Sequence, residues 1–309
     1  MLFRSLDAFS GHWGNVPKLK RVVVKEINEA TSRRLQVEKG DIDIAWELFP
    51  DQVKALESSS ELHIDKFPAT TIYYVGMNVT KGPLKHAKVC QAIRYAVDYD
   101  GIINHVMGGA AKAINTFIPE GFAGYNGKIH FKQDIAKAKA LMAEAGFADG
   151  FSTTINTGDQ TPNPELSQVL QASLAKIGIK LKINKMVSSQ LWPDYRKQNH
   201  DIIMARWGPD YNDPHTNAQP FADHTVKQLS WRNAYYNDTT AGLIDQASRE
   251  MDQAKRMALY NKANDIIQQD GPYIFLFQPL YQYGVRNNVV GFLPPPTFDL
   301  WKLYTVSKK

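Results

Sequence analysis

Residues 163–183, NPELSQVLQASLAKIGIKLKI, change their hydrophobic period at a single glycine. Ahead of Gly178, the side chains Leu166, Val169, Leu170, Leu174 and Ile177 recur at the spacing of one helix face. Asn163-Pro164 supplies a helix start, with an N-cap and a proline at the first helical position. After the glycine, IKLKI (179–183) alternates at the two-residue period of a strand. Helix feeding strand through a glycine is the repeating unit of α/β folds. A chain that keeps making this switch has few other ways to bury its apolar faces.

The switch recurs along the chain. RVVVKEI (21–27) is short and β-branched, which predicts a strand. Glu29 to Lys39 reads as a helix stopped by Gly40, and DIDIA (41–45) alternates as a strand. TIYYVGMN (71–78) is a further strand. Val89, Ala92, Ile93, Ala96 and Val97 form one helical stripe, which Asp98 and Asp100 interrupt. Asp100 is placed to cap a second helix running through His105. A third helix spans Asp134 to Ala145 and ends at Gly146. DIIMARW (201–207) and YIFLF (273–277) read as buried strands, and Thr240–Met251 and Gln253–Gln269 as helices before Gly271-Pro272. The stretch 289–301 is proline-rich and irregular. Domain boundaries are expected near 80 and 285, with the tail returning to the first lobe.

Composition removes several function classes. Of 309 residues, 43% are hydrophobic and 22% charged, the balance of an ordinary globular protein. The net charge of +5 is spread along the chain without a basic run interleaved with aromatics, so no nucleic-acid partner is expected. Cys90 is the only cysteine, which excludes an intrachain disulfide and a Cys-based zinc site. The longest apolar stretches, around YIFLF, are too short to span a bilayer. MLFRSLDAFSGHWGN contains no apolar run of the signal-peptide kind, so the chain as given is expected to lack one. No phosphate-loop, dinucleotide-binding, nucleophile-elbow or HExxH motif occurs.

The densest chemistry lies in RWGPDYNDPHT (206–216). It begins like a calcium loop but lacks that loop's glycine, and Phe221 stands where the bidentate glutamate belongs. No metal or other cofactor is expected. Asp210 and Asp213 are the one candidate pair of hydrolytic carboxylates, but residues three apart in a proline-flanked loop seldom face each other across a bond. Asp213-Pro214 is expected to form a turn, its side chain bonding nearby backbone N–H groups. Trp192 and Trp231 are expected to cover the core.

Six collinear segments, HWGNVPKLKRVVVKEI, RRLQVEKGDIDIA, YYVGMNVTKGPLKHAKVCQAIRYAVDYDGII, DIAKAKALMAEAGFADGF, IIMARWGPDYNDP and RMALYNKANDIIQQDGPYIFLF, resemble the family 5 extracellular solute-binding proteins, the dipeptide and oligopeptide receptors of ABC importers. They run in the family's order from about His12 to Gly291. Cys90 departs from the pattern by standing where the family usually has arginine. The family also carries a long N-terminal stretch ahead of the point where this chain begins, so the chain resembles the C-terminal part of such a receptor.

The resemblance implies an α/β, periplasmic binding protein-like fold of type II, in its peptide-binding class, with one complete lobe and an incomplete first lobe. Residues 1–80 and 284–309 would belong to lobe I and 81–283 would form lobe II. It implies a binder and not an enzyme: a periplasmic receptor that encloses a peptide or similar solute in a cleft and delivers it to a membrane permease. Dipeptides, oligopeptides, opines and nickel chelates all fall within that class. An enclosed ammonium must be matched, because an unpaired buried charge costs several kcal/mol. By resemblance Asp210 is the matching carboxylate and Trp207 packs on the ligand. Gly208 and Pro209 shape the loop between them, and Ser188 and Tyr74 are further lining residues. The alternative to a receptor is a remnant that self-associates through its incomplete lobe.

Overall fold

In the computed structural model, which describes residues 3–293 and 303–309, contacts divide the chain into two units, Met1–Ala69 with Leu280–Lys309, and Thr70–Pro279. The first unit starts with β1 (Phe3–Asp7) and β2 (Arg21–Lys25), an antiparallel ribbon. Next come α1 (Ala30–Lys39), β3 (Ile44–Ala45), α2 (Pro50–Leu56) and β4 (Leu62–Pro68). Gly40 ends α1 in the left-handed conformation at φ 84°, which glycine adopts without a Cβ clash. Val37, Ala45, Leu48, Val53, Leu56 and Leu62 make the core between these elements.

The second unit contains β5 (Ile72–Met77), α3 (Ala87–Ala96) and a short turn α4 (Tyr99–Gly101). These are followed by β6 (Ala111–Ala113), α5 (Ile135–Glu144), β7 (Phe151–Gly158), α6 (Asn163–Ala175), β8 (Ile179–Met186), α7 (Ser188–Arg196) and β9 (Ile202–Trp207). After β9 come four helices, α8 (His215–Ala222), α9 (Leu229–Arg232), α10 (Asp238–Arg249) and α11 (Gln253–Asp270). The chain leaves the unit along β10 (Tyr273–Arg286), whose last residues belong to the first unit and pair there with β3 and β4. The first unit closes with β11 (Val289–Val290) and β12 (Ser307–Lys308), which pair with each other.

Within the second unit the strand order is β10-β5-β9-β7-β8. β5 runs antiparallel to both β10 and β9, and β9, β7 and β8 run parallel to one another. Alternate residues enter two different cores. Tyr73, Val75, Met77, Ile202, Met204, Ile274 and Leu276 pack with α3, α5 and α6. Ile72, Tyr74, Ile203, Ala205, Tyr273 and Phe275 pack with α8, α10 and α11. Both faces of the sheet are therefore covered, and this is why its strands read as unbroken apolar runs.

Arg94 lies fully buried on α3. Its guanidinium donates to the carbonyls of Tyr273 at 2.8 Å, Gln268 at 3.4 Å and Gly271. The cation thus meets carbonyls at and just beyond the C-terminus of α11, where the helix dipole favours positive charge.

Four expectations are corrected here. The strand expected over 71–78 in the first lobe belongs to the second unit, because β5 pairs with β9 from Ile72 opposite Trp207 to Met77 opposite Ile202. The contact boundaries accordingly fall at Ala69/Thr70 and Pro279/Leu280 instead of near 80 and 284. Asp98, not Asp100, caps the turn after α3, accepting from the Gly101 N–H at 2.8 Å. Asn163 is already helical and Pro162 precedes it, so Asn163 is not the N-cap. Of the irregular stretch 289–301, the part from 294 onward lies outside the described residues.

Candidate functional site

β9 ends at Trp207, and the chain then turns through Gly208-Pro209-Asp210 into α8. Trp207 is half-buried, with its ring edge-on to Phe221 at 6.4 Å between centroids. Its indole N–H donates to Asn217 Oδ1 at 3.0 Å, and Asn217 Nδ2 donates to the Phe117 carbonyl at 2.9 Å. Pro209 is buried, whereas Gly208 and Asp210 are exposed. A Cβ on Gly208 would sit at an ordinary 3.6 Å from Thr71 Oγ1, so space does not demand glycine there.

The far end of the turn is held separately. Arg256 on α11 donates from Nη1 to Asp213 Oδ2 at 2.9 Å and from Nη2 to Asp213 Oδ1 at 2.7 Å. Asp213 Oδ1 also accepts the His215 N–H at 2.8 Å, the side-chain turn expected of Asp213-Pro214. The Arg256 guanidinium lies 5.3 Å from the centroid of the Tyr260 ring, and the Tyr260 hydroxyl meets His215 Nδ1 at 3.1 Å. Partial burial works to raise the Asp213 carboxyl, but the Arg256 and His215 hydrogen bonds and the guanidinium charge outweigh it and hold the group below the usual carboxylate range. Burial pushes the His215 imidazole down despite the neighbouring Asp213.

The two aspartates thus have different environments. Asp213 is committed to Arg256. Asp210 is exposed, and among the described residues no hydrogen bond or ion pair engages its carboxylate. Such a group, on a turn fixed at both ends, can pair a cation. With Asp213 engaged, the two carboxylates do not make a free acid–base pair. Among the described residues no group of three His, Cys, Asp or Glu side chains is arranged to hold a metal ion.

A sequence model described as bacterial extracellular solute-binding proteins, family 5 Middle, matches residues 5–228. The chain belongs to this family. Among relatives of this family 5 protein is the "Probable D,D-dipeptide-binding periplasmic protein DdpA" of Escherichia coli strain K12, 33% identical over 299 residues. That match covers 96% of this chain and 58% of the relative. The "Dipeptide-binding protein" of the same strain is 29% identical, over 94% of this chain and 55% of its own length. The chain therefore spans little more than half of these relatives. A solved structure, the ABC transporter-associated periplasmic binding protein DppA from Helicobacter pylori in complex with peptide STSA, superposes with a TM-score of 0.86 at 29% identity. It covers 98% of this chain and 60% of the other. The fold is the α/β fold of the type II periplasmic binding proteins. No described helix is long and apolar enough to cross a membrane.

For this family 5 protein the expected site residues separate into three groups. Trp207, Gly208, Pro209 and Asp210 form one continuous turn in the family-matched region. Ser188 is exposed on the first turn of a different element, α7. Tyr74 is corrected: it is 1% exposed, its ring packs edge-on against Phe221 and Tyr273, and its hydroxyl lies 3.2 Å from that of Tyr195. It is a core residue of the second unit, because its position on β5 puts it on the face covered by α8 and α11. Trp192 packs against the same core, as expected. Sequence reasoning missed Arg256 and Asn217. The signal available was the pair Arg256 and Tyr260, one helical turn apart in RMALY.

Proposed function

We propose that this protein is the solute-binding component of an ABC importer, acting in the periplasm. It would hold a peptide or similar small solute and pass it to a membrane permease. Asp210 pairs the ligand's ammonium, and the Trp207 ring gives contact that does not depend on side-chain identity. The observation that carries this reading is the contrast between Asp210 and Asp213. One carboxylate is exposed and unengaged at the end of a buried strand, while the other is spent on the scaffold. The names of the relatives, dipeptide-binding proteins, and the peptide in the similar structure support the ligand class. Ser188, exposed at the start of α7, is a further lining residue on this reading.

The test is mass spectrometry of small molecules released by denaturing protein purified without a refolding step. Peptides or amino-bearing solutes in near one-to-one amount are expected. Released compounds that all lack an amino group would contradict the role given to Asp210.

A second reading, a self-associating module, draws on the β1–β2 ribbon and the loop that joins its strands. Phe3, Leu6, Phe9 and Val23 are exposed there, and Trp13 is 95% exposed. Phe3 and Val23 share one face of the ribbon, and large exposed apolar surface marks interaction sites. Sedimentation velocity across a concentration series distinguishes a monomer from such an assembly.

A further inference from the structure

The turn that carries Asp210 is fixed at two points three residues to either side of it. At Trp207 the fixing group is Asn217, fully buried and bonded in turn to the Phe117 carbonyl. At Asp213 it is Arg256, reaching from α11 with two parallel hydrogen bonds of 2.9 and 2.7 Å. A bidentate guanidinium–carboxylate pair fixes direction as well as distance, which a single lysine contact does not. The guanidinium is itself held. Its Nε donates to the Ala247 carbonyl at 3.2 Å, and its face lies over Tyr260, whose side chain is buried. The pair is only partly exposed, at 18% for Arg256 and 33% for Asp213, so solvent screens it less than a surface pair.

A clamp of this quality is more than a surface turn needs for stability. Pro209 and Pro214 already restrict the backbone, and α8 begins directly after them. What the clamp adds is a fixed place for the residues between its ends. We propose that Arg256 is a positioning residue for ligand binding: by clamping Asp213 it fixes where the Asp210 carboxylate stands, so that a peptide ammonium meets a preorganised partner. This rests on the reading of Asp210 given above. The ligand does not touch Arg256. The residue acts through Asp213 and the turn, lowering the ordering that binding would otherwise require.

The experiment pairs two readouts on the purified full chain, with Arg256→Ala, Arg256→Lys and Asp210→Asn variants. Calorimetry uses trialanine and N-acetyl-trialanine. Order parameters of the Tyr211 and Asn212 amides come from ¹⁵N relaxation on deuterated protein. Arg256→Ala is expected to weaken trialanine about tenfold, equivalent to about 1.4 kcal/mol, and to leave the acetylated peptide unchanged. Arg256→Lys should fall between, because the charge stays and the fork is lost. The Tyr211 and Asn212 amides should move from about 0.85 toward 0.6 in Arg256→Ala without ligand. A mere loss of stability would not single out the free-amino peptide. If Asp210→Asn weakens trialanine but Arg256→Ala does not, or if the order parameters stay the same, the positioning role is overturned and the binding reading stands. If Asp210→Asn has no effect, the binding reading fails and the positioning role fails with it.

Discussion

Asn217 links Trp207 to the backbone at Phe117: it accepts the indole N–H on Oδ1 at 3.0 Å and donates from Nδ2 to the Phe117 carbonyl at 2.9 Å. Both bonds lie inside the second unit, and Asn217 has no exposed surface. Asn217→Ala leaves a buried carbonyl without its donor and the indole N–H without its acceptor. The expected loss is about 2–3 kcal/mol, read as a lower urea midpoint. Restoring the amide with Asn217→Gln should not recover it, since the longer side chain cannot fit a closed site. An unchanged midpoint in the alanine variant would mean that other groups hold Trp207.

Tyr74 supplies a control for the site assignment. Among the described residues its hydroxyl bonds only to Tyr195, in the core, at 3.2 Å. Tyr74→Phe is expected to cost about 1 kcal/mol and to leave peptide affinity as it was. Weaker binding at unchanged stability would return Tyr74 to the list of ligand contacts.

His200 makes stability depend on pH. Burial pushes its imidazole down to about 4, against which the bond to Asn233 works only in part. The folded protein therefore keeps it neutral where the unfolded chain has taken up a proton. As pH falls from the ordinary histidine value of 6.5 toward 4, the unfolded state binds more protons and stability drops. By pH 4 the contribution amounts to about 3 kcal/mol, and it is absent well above pH 6.5. Chemical denaturation at pH 7.5 and 4.5 should show a smaller difference for His200→Gln than for the unaltered chain. Equal differences would place the acid sensitivity elsewhere.

Much of the fold is legible in the sequence because the second unit covers both faces of its sheet. DIIMARW and YIFLF are apolar at successive positions for that reason, and the helices between them show one apolar stripe each. What escapes is what depends on proline or on distance. α7 and α8 contain Pro193 and Pro220 within their spans, which breaks the pattern that marks a helix. Tyr73 and Tyr74 are adjacent and both buried, so periodicity cannot say which face each joins. The turn from Trp207 to Asp210 stands out by its residue types alone. Arg256 lies 43 residues beyond Asp213, and only the packing of α11 brings them together. Asp98 and Asp100 are equally good caps on paper, and the backbone geometry selects Asp98.

The central claim is that Asp210 pairs a ligand ammonium, and calorimetry of Asp210→Asn against the unaltered chain tests it most directly. The amide is nearly the same size as the carboxylate and lacks its charge, so shape stays constant while the pairing is lost. Trialanine is expected to bind the variant more weakly by about 2 kcal/mol or more, because removing one partner strands the other's charge. Acetylating the peptide should cost a similar amount with the unaltered chain and nothing further with the variant. Equal affinity of both chains for both peptides would contradict it.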